Sequence, residues 1–127
     1  MHENELAKIA VDICYKIHTK LGPGLLESVY EAAFAYELDK LGIRYTRQQP
    51  IPVYYEEVIL DVGFRADIIM EEKLLIELKS IQTIEKVFHK TTLTYMKLTG
   101  IKLGLLVNFN VELIKDGIHR KILGELF

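Results

Sequence analysis

Two neighbouring segments in the middle of the chain carry two carboxylates and an amine at a spacing that suits metal chemistry. Apolar residues alternate with other residues along 62–70 and 74–80, which predicts the two arms of a β-hairpin. Asp67 lies in the first arm, and Glu77 and Lys79 lie in the second. Because successive side chains on a strand point to opposite faces, Glu77 and Lys79 share one face.

The register of this hairpin decides whether Asp67 joins them. Matching the apolar faces of the two arms fixes the register, since a slip by one residue would turn every side chain over. The resulting pairs are Met70 with Leu74, Ile68 with Ile76, and Ala66 with Leu78. Asp67 then lies opposite Glu77 and diagonal to Lys79. This register requires a three-residue loop, 71–73, because a two-residue loop would place Asp67 and Glu77 on opposite faces.

Carboxylates that face each other directly repel across a sheet, unless a cation lies between them. Mg²⁺ takes oxygen ligands and keeps several waters, so Asp67 and Glu77 are sufficient anchors for it. Lys79 would orient or deprotonate a metal-bound water, or stabilise negative charge on a phosphate. On these three residues alone, a solvated face with a weak salt bridge is the alternative.

Three helices are predicted around this hairpin from apolar residues at three- and four-residue steps. They are expected at about Leu6–Leu21 with Asn4 as N-cap, at about Leu25–Leu41 ended by Gly42, and at about Ile84–Thr99 with Thr83 as cap and Gly100 at the end. The buried stripe predicted for the second helix is Leu26, Val29, Tyr30, Ala33, Phe34, Leu38 and Leu41. Gly22-Pro23-Gly24 separates the first two helices by a sharp turn.

Further strands are predicted on both sides of the hairpin. A strand begins at Ile43-Arg44-Tyr45, and Pro50 and Pro52 confine the next stretch to a strand start or a sheet edge. The remaining expectations are a hairpin over Val53–Asp61 that turns at Glu56-Glu57, an interior strand over Ile101–Phe109 parallel to 74–80, and a hairpin at Asp116-Gly117 between Glu112–Lys115 and Ile118–Leu123.

Length and composition exclude several classes of protein. The 127 residues fit one domain, and a half-hydrophobic chain is not disordered. A formal net charge of −2 excludes a polycation, so nucleic-acid affinity needs a local patch or a metal. The single cysteine, Cys14, excludes an internal disulfide, and its place on the first helix predicts a core residue. With no membrane-length apolar run and no signal-peptide pattern, the expected location is the cytoplasm, without a membrane partner.

Asp67 followed by Glu77-Leu78-Lys79 resembles the PD-(D/E)xK nuclease superfamily, and Gly24-Leu25-Leu26-Glu27-Ser28-Val29-Tyr30 matches the signature of the GxxExxY protein family. Further matches are Arg65-Ala66-Asp67, Tyr95-Met96-Lys97-Leu98-Thr99-Gly100 and Gly104-Leu105-Leu106-Val107-Asn108-Phe109. Together they cover about residues 5–123. The resemblance implies an α/β, restriction-endonuclease-like core, in which a central mixed sheet is flanked by two N-terminal helices and one crossover helix.

The resemblance also implies a metal-dependent phosphodiesterase that acts on DNA or RNA. Asp67 and Glu77 would bind Mg²⁺, or Mn²⁺ in its place, with help from the backbone carbonyl of Leu78. Lys79 would serve the attacking water, and Glu27 would support the metal. The remaining supporting residues are Tyr30, Tyr95 and Thr91.

Thr91 is a departure, because the family commonly has Gln at this position on the helix after the Glu-Lys strand. The shorter side chain lacks the amide, which affects how that helix positions substrate or water. A non-catalytic binding or scaffold module with a nuclease fold is therefore the alternative function. A homo-oligomer is a further expectation, because association of two copies would cover the edge strands and the apolar faces of the helices.

Other polar side chains have structural explanations beside the functional ones. Glu27 lies in the first turn of a helix, where the helix dipole alone favours a carboxylate, and Tyr30 is expected in the core. The four histidines, His2, His18, His89 and His119, show no ligand spacing, so no zinc site is expected. Basic and aromatic residues that would contact phosphates or bases, or else lie on ordinary surfaces, are Lys86, Lys90, Lys97, Arg44, Arg47, Tyr45, Tyr54 and Tyr55.

Overall fold

Three α-helices and seven β-strands make up the part of the chain that the computed structural model describes, residues 1–60 and 63–126. The helices are α1 (Glu3–Leu21), α2 (Glu27–Leu41) and α3 (Lys86–Thr99). The strands are β1 (Tyr45–Pro50), β2 (Val53–Tyr55), β3 (Val58–Leu60), β4 (Arg65–Met70), β5 (Leu74–Lys79), β6 (Leu103–Asn108) and β7 (Ile118–Ile122). The predicted strand end at Asp61 and the predicted hairpin start at residue 62 fall outside the described residues.

Five strands form a mixed sheet in the order β1-β4-β5-β6-β7, while β2 and β3 pair in a separate two-stranded sheet. β5 and β6 run parallel with α3 as the crossover between them, and the other neighbours in the large sheet are antiparallel. β5 and β6 are almost completely buried, as expected of interior strands covered on both faces. The predicted mixed α/β architecture and the predicted parallel pairing are therefore confirmed.

Helices cover both faces of the large sheet. Side chains of α1 and α2 form the larger core with one face, and α3 packs on the other face through Met96 against Leu75 and Ile69. Cys14 is completely buried in the larger core, and this burial raises the pKa of its thiol to about 12. Cys14 is therefore a core residue, as predicted. Every helix described is too short or too polar to pass through a membrane.

Two predicted helix caps are wrong. The N-cap of α1 is His2, because its Nδ1 accepts the Asn4 N–H at 3.0 Å while the Glu5 carboxylate accepts the His2 N–H at 3.4 Å. Thr83 does not cap α3, which begins after Glu85. Both backbone groups of Ile81 are bonded to the Asn108 side chain, and the helix starts only after the chain has left this contact.

The predicted stripe of α2 is partly wrong. Tyr30, Phe34 and Leu38 are buried as expected, but Leu26, Val29 and Leu41 are exposed. Two carboxylates, Glu31 and Glu37, are buried on α2 in their stead. Glu37 pairs with Lys16 and Lys40, and Glu31 pairs with Arg47. Hydropathy alone misses such positions, because a carboxylate with a cationic partner can be buried.

Two strand predictions also change. β1 starts at Tyr45, since the Ile43 N–H still bonds to Leu38 at the end of α2, and Pro50 ends β1 at the sheet edge as its missing N–H requires. The hairpin at Asp116-Gly117 is wrong, because 114–116 form a 3₁₀ helix. β7 pairs instead with β6. The β2–β3 hairpin turns at 56–57 as predicted.

Candidate active site

The expected register of β4 and β5 is confirmed near the turn, whereas the expected pair of Ala66 with Leu78 is not formed. Ile68 pairs with Ile76 and Met70 with Leu74, and the connecting turn holds the three residues 71–73. Arg44 steadies this turn by hydrogen bonds from its guanidinium to the Glu71 carboxylate, the shorter at 3.0 Å. The turn and the register together place Asp67 and Glu77 across from each other.

Backbone pairing between β4 and β5 ends at Ile68 and Ile76, immediately before this acidic pair. Beyond that point the Oδ2 atom of Asp67 accepts the Leu78 N–H at 2.8 Å, so a side chain takes the place of a backbone acceptor. The N–H and C=O of one strand residue point toward the same neighbouring strand. The Leu78 carbonyl therefore faces the same opening as Asp67.

Glu77 is the least solvated carboxyl of the site, with 5% of its surface exposed. Its Oε1 atom is buried and has no hydrogen-bond partner among the residues described. Burial raises the pKa of Glu77 to about 9, and the nearby charge of Asp67 is the second cause. The charge of Lys79 lowers the Glu77 pKa and so acts in the opposite direction. The side chain is therefore protonated at neutral pH when no cation is present.

These observations test whether the site suits a divalent cation. An orphaned buried carboxyl oxygen beside a second carboxylate is a donor set that a hard cation would satisfy. Within residues 1–60 and 63–126, no group of three His, Cys, Asp or Glu side chains converges as a ready metal site. Two carboxylates, the Leu78 carbonyl and water are thus the ligands at hand, and they fit an ion that keeps several waters.

Lys79 follows Glu77 on the same face, and its amine reaches toward α3. The Nζ atom lies 5.1 Å from the centroid of the Phe88 ring, a cation–π contact. The Lys79 carbonyl accepts the Phe109 N–H at 2.9 Å, which fixes the backbone where β5 ends. Lys79 is thus a positioned cation whose charge acts on the neighbouring Glu77.

Tyr95 on α3 completes this side of the site. Burial, and then the charges of Glu77 and Asp67, raise the pKa of its hydroxyl. Its ring also contacts Phe64, at 5.9 Å between centroids. Thr91 behaves differently, because its hydroxyl donates to the Val87 carbonyl of its own helix at 2.8 Å.

The two carboxylates at the start of α2 have different surroundings. Glu27 is exposed, and its side chain makes no hydrogen bond or ion pair with any residue that the structure describes. It borders a surface cleft with Ser80, the residue after Lys79. Glu31, one turn further along, is buried and accepts from Gln48 at 2.6 Å, and the same amide nitrogen donates to Asp67 at 3.0 Å.

Sequence reasoning missed Glu31 and Gln48. The helical spacing of four residues between Glu27 and Glu31 was a signal for the first, since such residues are neighbours on a helix surface. Gln48 lies across from Asp67 only because β1 pairs with β4, and neither residue type nor spacing indicated that pairing.

Tyr30 is a core residue, as predicted. Its ring stacks on Phe109 with 4.3 Å between centroids, and its hydroxyl donates to the Gly22 carbonyl at 2.6 Å and accepts the Leu25 N–H at 3.1 Å. The Leu25 carbonyl in turn accepts the Ser80 hydroxyl at 2.5 Å. Tyr30 therefore closes the turn between α1 and α2 and joins it to the end of β5.

The fold brings two distant histidines together. The rings of His89 on α3 and His119 on β7 lie 4.9 Å apart, edge to face. Burial first, and then the charge of Lys121, lower the pKa of both. Lys86, Lys90 and Lys97 on α3 are exposed, as are Tyr54 and Tyr55 on β2.

Comparison with known proteins agrees with this geometry. A family model described as the PD-(D/E)XK nuclease superfamily matches residues 4–121. No curated protein and no solved structure matches the chain significantly. The matched segment contains the mixed sheet and the three helices, apart from one terminal residue each of α1 and β7, and it includes Asp67, Glu77 and Lys79. The chain therefore belongs to the PD-(D/E)XK nuclease superfamily.

Proposed function

We propose that this protein is a metal-dependent phosphodiesterase of the GxxExxY group that hydrolyses DNA or RNA, with residues 1–127 as one nuclease-like domain. Membership of the superfamily supports a nuclease-like function. The nucleases of this superfamily generally use divalent metals, which supports a metal-dependent reaction. The observation that carries the proposal is the buried Oε1 atom of Glu77, which lacks a hydrogen-bond partner in the described part of the chain and lies opposite Asp67.

Asp67 and Glu77 are the proposed ligands of Mg²⁺ or Mn²⁺, together with the carbonyl of Leu78. Such an ion polarises a phosphate oxygen and lowers the pKa of a bound water. Asp67 already accepts the Leu78 N–H, so its carboxylate is held before any ligand arrives. Glu77 gives up its proton to become a ligand, and the charge of Lys79 assists because it lowers the Glu77 pKa.

Lys79 is proposed to hold and orient the attacking water. The Phe88 ring keeps its ammonium group on the face that Glu77 shares, which limits the positions that the flexible side chain samples. Tyr95 is proposed as a supporting residue, because the charges of both acids contribute to the raised pKa of its hydroxyl. Glu27 is proposed to act from the cleft beside Ser80, on the side from which substrate would approach.

The small negative charge of the chain bears on its substrate. With a net charge of −2, bulk attraction does not draw a polyanion toward the protein. The Asp67 carboxylate would further repel a phosphate until a divalent ion neutralises it. We therefore expect nucleic-acid binding at this site to require the metal.

The direct test is cleavage of plasmid DNA, single-stranded DNA and RNA with Mg²⁺ or Mn²⁺. Cleavage is expected for the natural chain and is expected to be lost in Asp67→Ala and Lys79→Ala. Asp12→Asn is the matched control, since Asp12 is an exposed carboxylate that pairs only with Lys8 in the described structure. If Asp67→Ala and Lys79→Ala both cleave as fast as the natural chain, the activity belongs to another site or to a contaminant.

A second candidate function is a non-catalytic binding or scaffold module. The observation that favours it is Thr91, whose hydroxyl bonds to its own helix and offers no amide to substrate or water. This function predicts no turnover with either metal and no metal-dependent stabilisation. A thermal-shift titration separates the two, because a ligand that binds only the folded state raises Tm. A Tm increase with Mn²⁺ that Asp67→Asn abolishes supports the metal site.

A further inference from the structure

Gln48 interrupts the pairing between β1 and β4. The residues on either side of it pair with β4, as Arg47 does with Ile68 and Gln49 with Ala66. Gln48 itself has a φ of 51°, in the left-handed region that residues other than glycine rarely adopt. Such a conformation persists only where the surrounding structure enforces it, and it often marks a functional position.

This backbone conformation aims the Gln48 side chain at two acids. The Nε2 atom donates to Glu31 Oε1 at 2.6 Å and to Asp67 Oδ1 at 3.0 Å. One amide nitrogen thus links a buried carboxylate of α2 to a proposed metal ligand on β4. The other oxygen of Glu31 accepts two hydrogen bonds from the Arg47 guanidinium, at 3.1 and 3.2 Å, so the helical end of the link is fixed.

The Asp67 carboxylate is consequently held from both neighbouring strands. Gln48 on β1 binds Oδ1, and the Leu78 N–H on β5 binds Oδ2. A carboxylate has about four lone-pair positions, so each oxygen keeps capacity for a metal ion. Residues that hold a metal ligand in this way tune metal affinity although they do not touch the metal.

We propose that Gln48 is a positioning residue, which fixes the Asp67 carboxylate for metal binding by linking it to Glu31 through one amide nitrogen. The inference rests on the proposed function, since it concerns the same carboxylate. It adds a residue of β1 and the Glu31 side chain of α2 to the apparatus of the site.

The test compares Gln48→Met with Gln49→Met in the full chain. Methionine keeps the length of the side chain but removes the amide donor, and the control alters the adjacent residue of the same edge strand. Binding of Mn²⁺ is followed by electron paramagnetic resonance of the free ion, and folding by circular dichroism. Gln48→Met is expected to weaken Mn²⁺ binding about ten-fold or more, against less than about two-fold for the control.

A second readout needs no metal. The Leu78 N–H donates to Asp67, so its amide resonance reports where the carboxylate lies. In the metal-free protein, Gln48→Met is expected to shift this resonance and to speed exchange of the Leu78 amide, whereas Gln49→Met is not. If the amide responds in this way but the natural chain does not bind Mn²⁺, the positioning of Asp67 stands and the proposed metal site fails.

The route through Glu31 is tested by combining Gln48→Met with Glu31→Ala. If both act on Asp67 through one link, the double variant binds Mn²⁺ no more weakly than the weaker single variant. If the losses of Mn²⁺ affinity in the two single variants add up in the double variant, the link through Glu31 is overturned. An unchanged Leu78 amide together with an unchanged Mn²⁺ affinity in Gln48→Met would overturn the whole inference.

Discussion

The carboxylate of Asp67 accepts the backbone N–H of Leu78 at 2.8 Å. At this point a side chain of β4 takes the place of a backbone acceptor for β5, just where the pairing of the two strands ends. The same hydrogen bond holds Asp67 next to Glu77, whose buried Oε1 atom has no hydrogen-bond partner among the described residues.

The contribution of Glu77 to the stability of the metal-free protein is expected to fall as pH rises from about 4.5 to about 9. The Glu77 pKa is about 9 in the folded chain and 4.5 ordinarily, so in this window the folded state holds a proton that the unfolded state has released. The loss is at most about 1.4 kcal/mol per pH unit. The stabilisation is complete below pH 4.5, and urea unfolding at several pH values measures the slope.

Glu77→Gln is the control for this slope. A glutamine mimics the protonated acid, so the variant should be as stable as the natural chain at pH 7 and should lose the part of the slope due to Glu77. It should also lose any Tm increase with Mn²⁺, because the amide is a poor ligand. An equal pH slope in both proteins would contradict the assignment of the raised pKa to Glu77.

Metal binding is expected to release about one proton per ion at pH 7, because Glu77 must ionise to become a ligand. Affinity should therefore rise with pH, by up to about ten-fold per unit below the raised Glu77 pKa. Calorimetry in buffers of different ionisation enthalpy counts the protons. A pH-independent affinity between pH 6 and 8 would exclude Glu77 as a ligand.

Substitutions of Glu27 and Glu31 are expected to distinguish a residue that serves the active site from one that stabilises the fold. Glu31→Gln should lower the free energy of unfolding by about 1–3 kcal/mol, because the buried Glu31 side chain loses the charge that binds the Arg47 guanidinium. Glu27→Gln should change it by less than about 0.5 kcal/mol, since the side chain is exposed. Under the proposed function Glu27→Gln still lowers cleavage, and unchanged cleavage would remove Glu27 from the site.

Tyr30→Phe is expected to cost about 1–3 kcal/mol of stability while the ring still packs on Phe109. The change removes the hydroxyl that serves both Gly22 and Leu25 and leaves the Leu25 N–H without this acceptor. Tyr36→Phe is the matched control, because Tyr36 is an exposed tyrosine of the same helix. Equal urea midpoints for the two variants would show that the Tyr30 hydroxyl does not stabilise the turn.

Gly117→Ala is expected to destabilise the protein by about 1–3 kcal/mol or more, as overpacking does in a tight interior. A Cβ at this position would overlap the Asn108 carbonyl, a backbone atom that cannot easily move. Gly124→Ala is a useful comparison, because a Cβ there would lie in open space and only the positive φ of 73° adds cost. A smaller loss for Gly117→Ala than for Gly124→Ala would contradict this account.

The hairpin that carries the acids is predictable from the local pattern of its residues. The alternation of apolar residues along 65–70 and 74–79 permits one register in which both buried faces agree, and that register places Asp67 across from Glu77. Continuous hydrophobicity likewise identified β6 as an interior strand parallel to β5. These features depend on residues close in sequence or on burial, and both leave a local pattern.

The residues that surround the acids become apparent only in the folded chain. Gln48 contacts Asp67 because β1 pairs with β4, which is remote from it in sequence. Glu31 can be buried because Arg47 of β1 forms an ion pair with it. The expected hairpin at Asp116-Gly117 failed for a related reason, since Gly117 ends a 3₁₀ helix and lies close to the backbone of Asn108, which is outside the predicted hairpin. A polar residue whose partner is remote in sequence has no periodic signature, so its burial and its contacts appear only when the chain is folded.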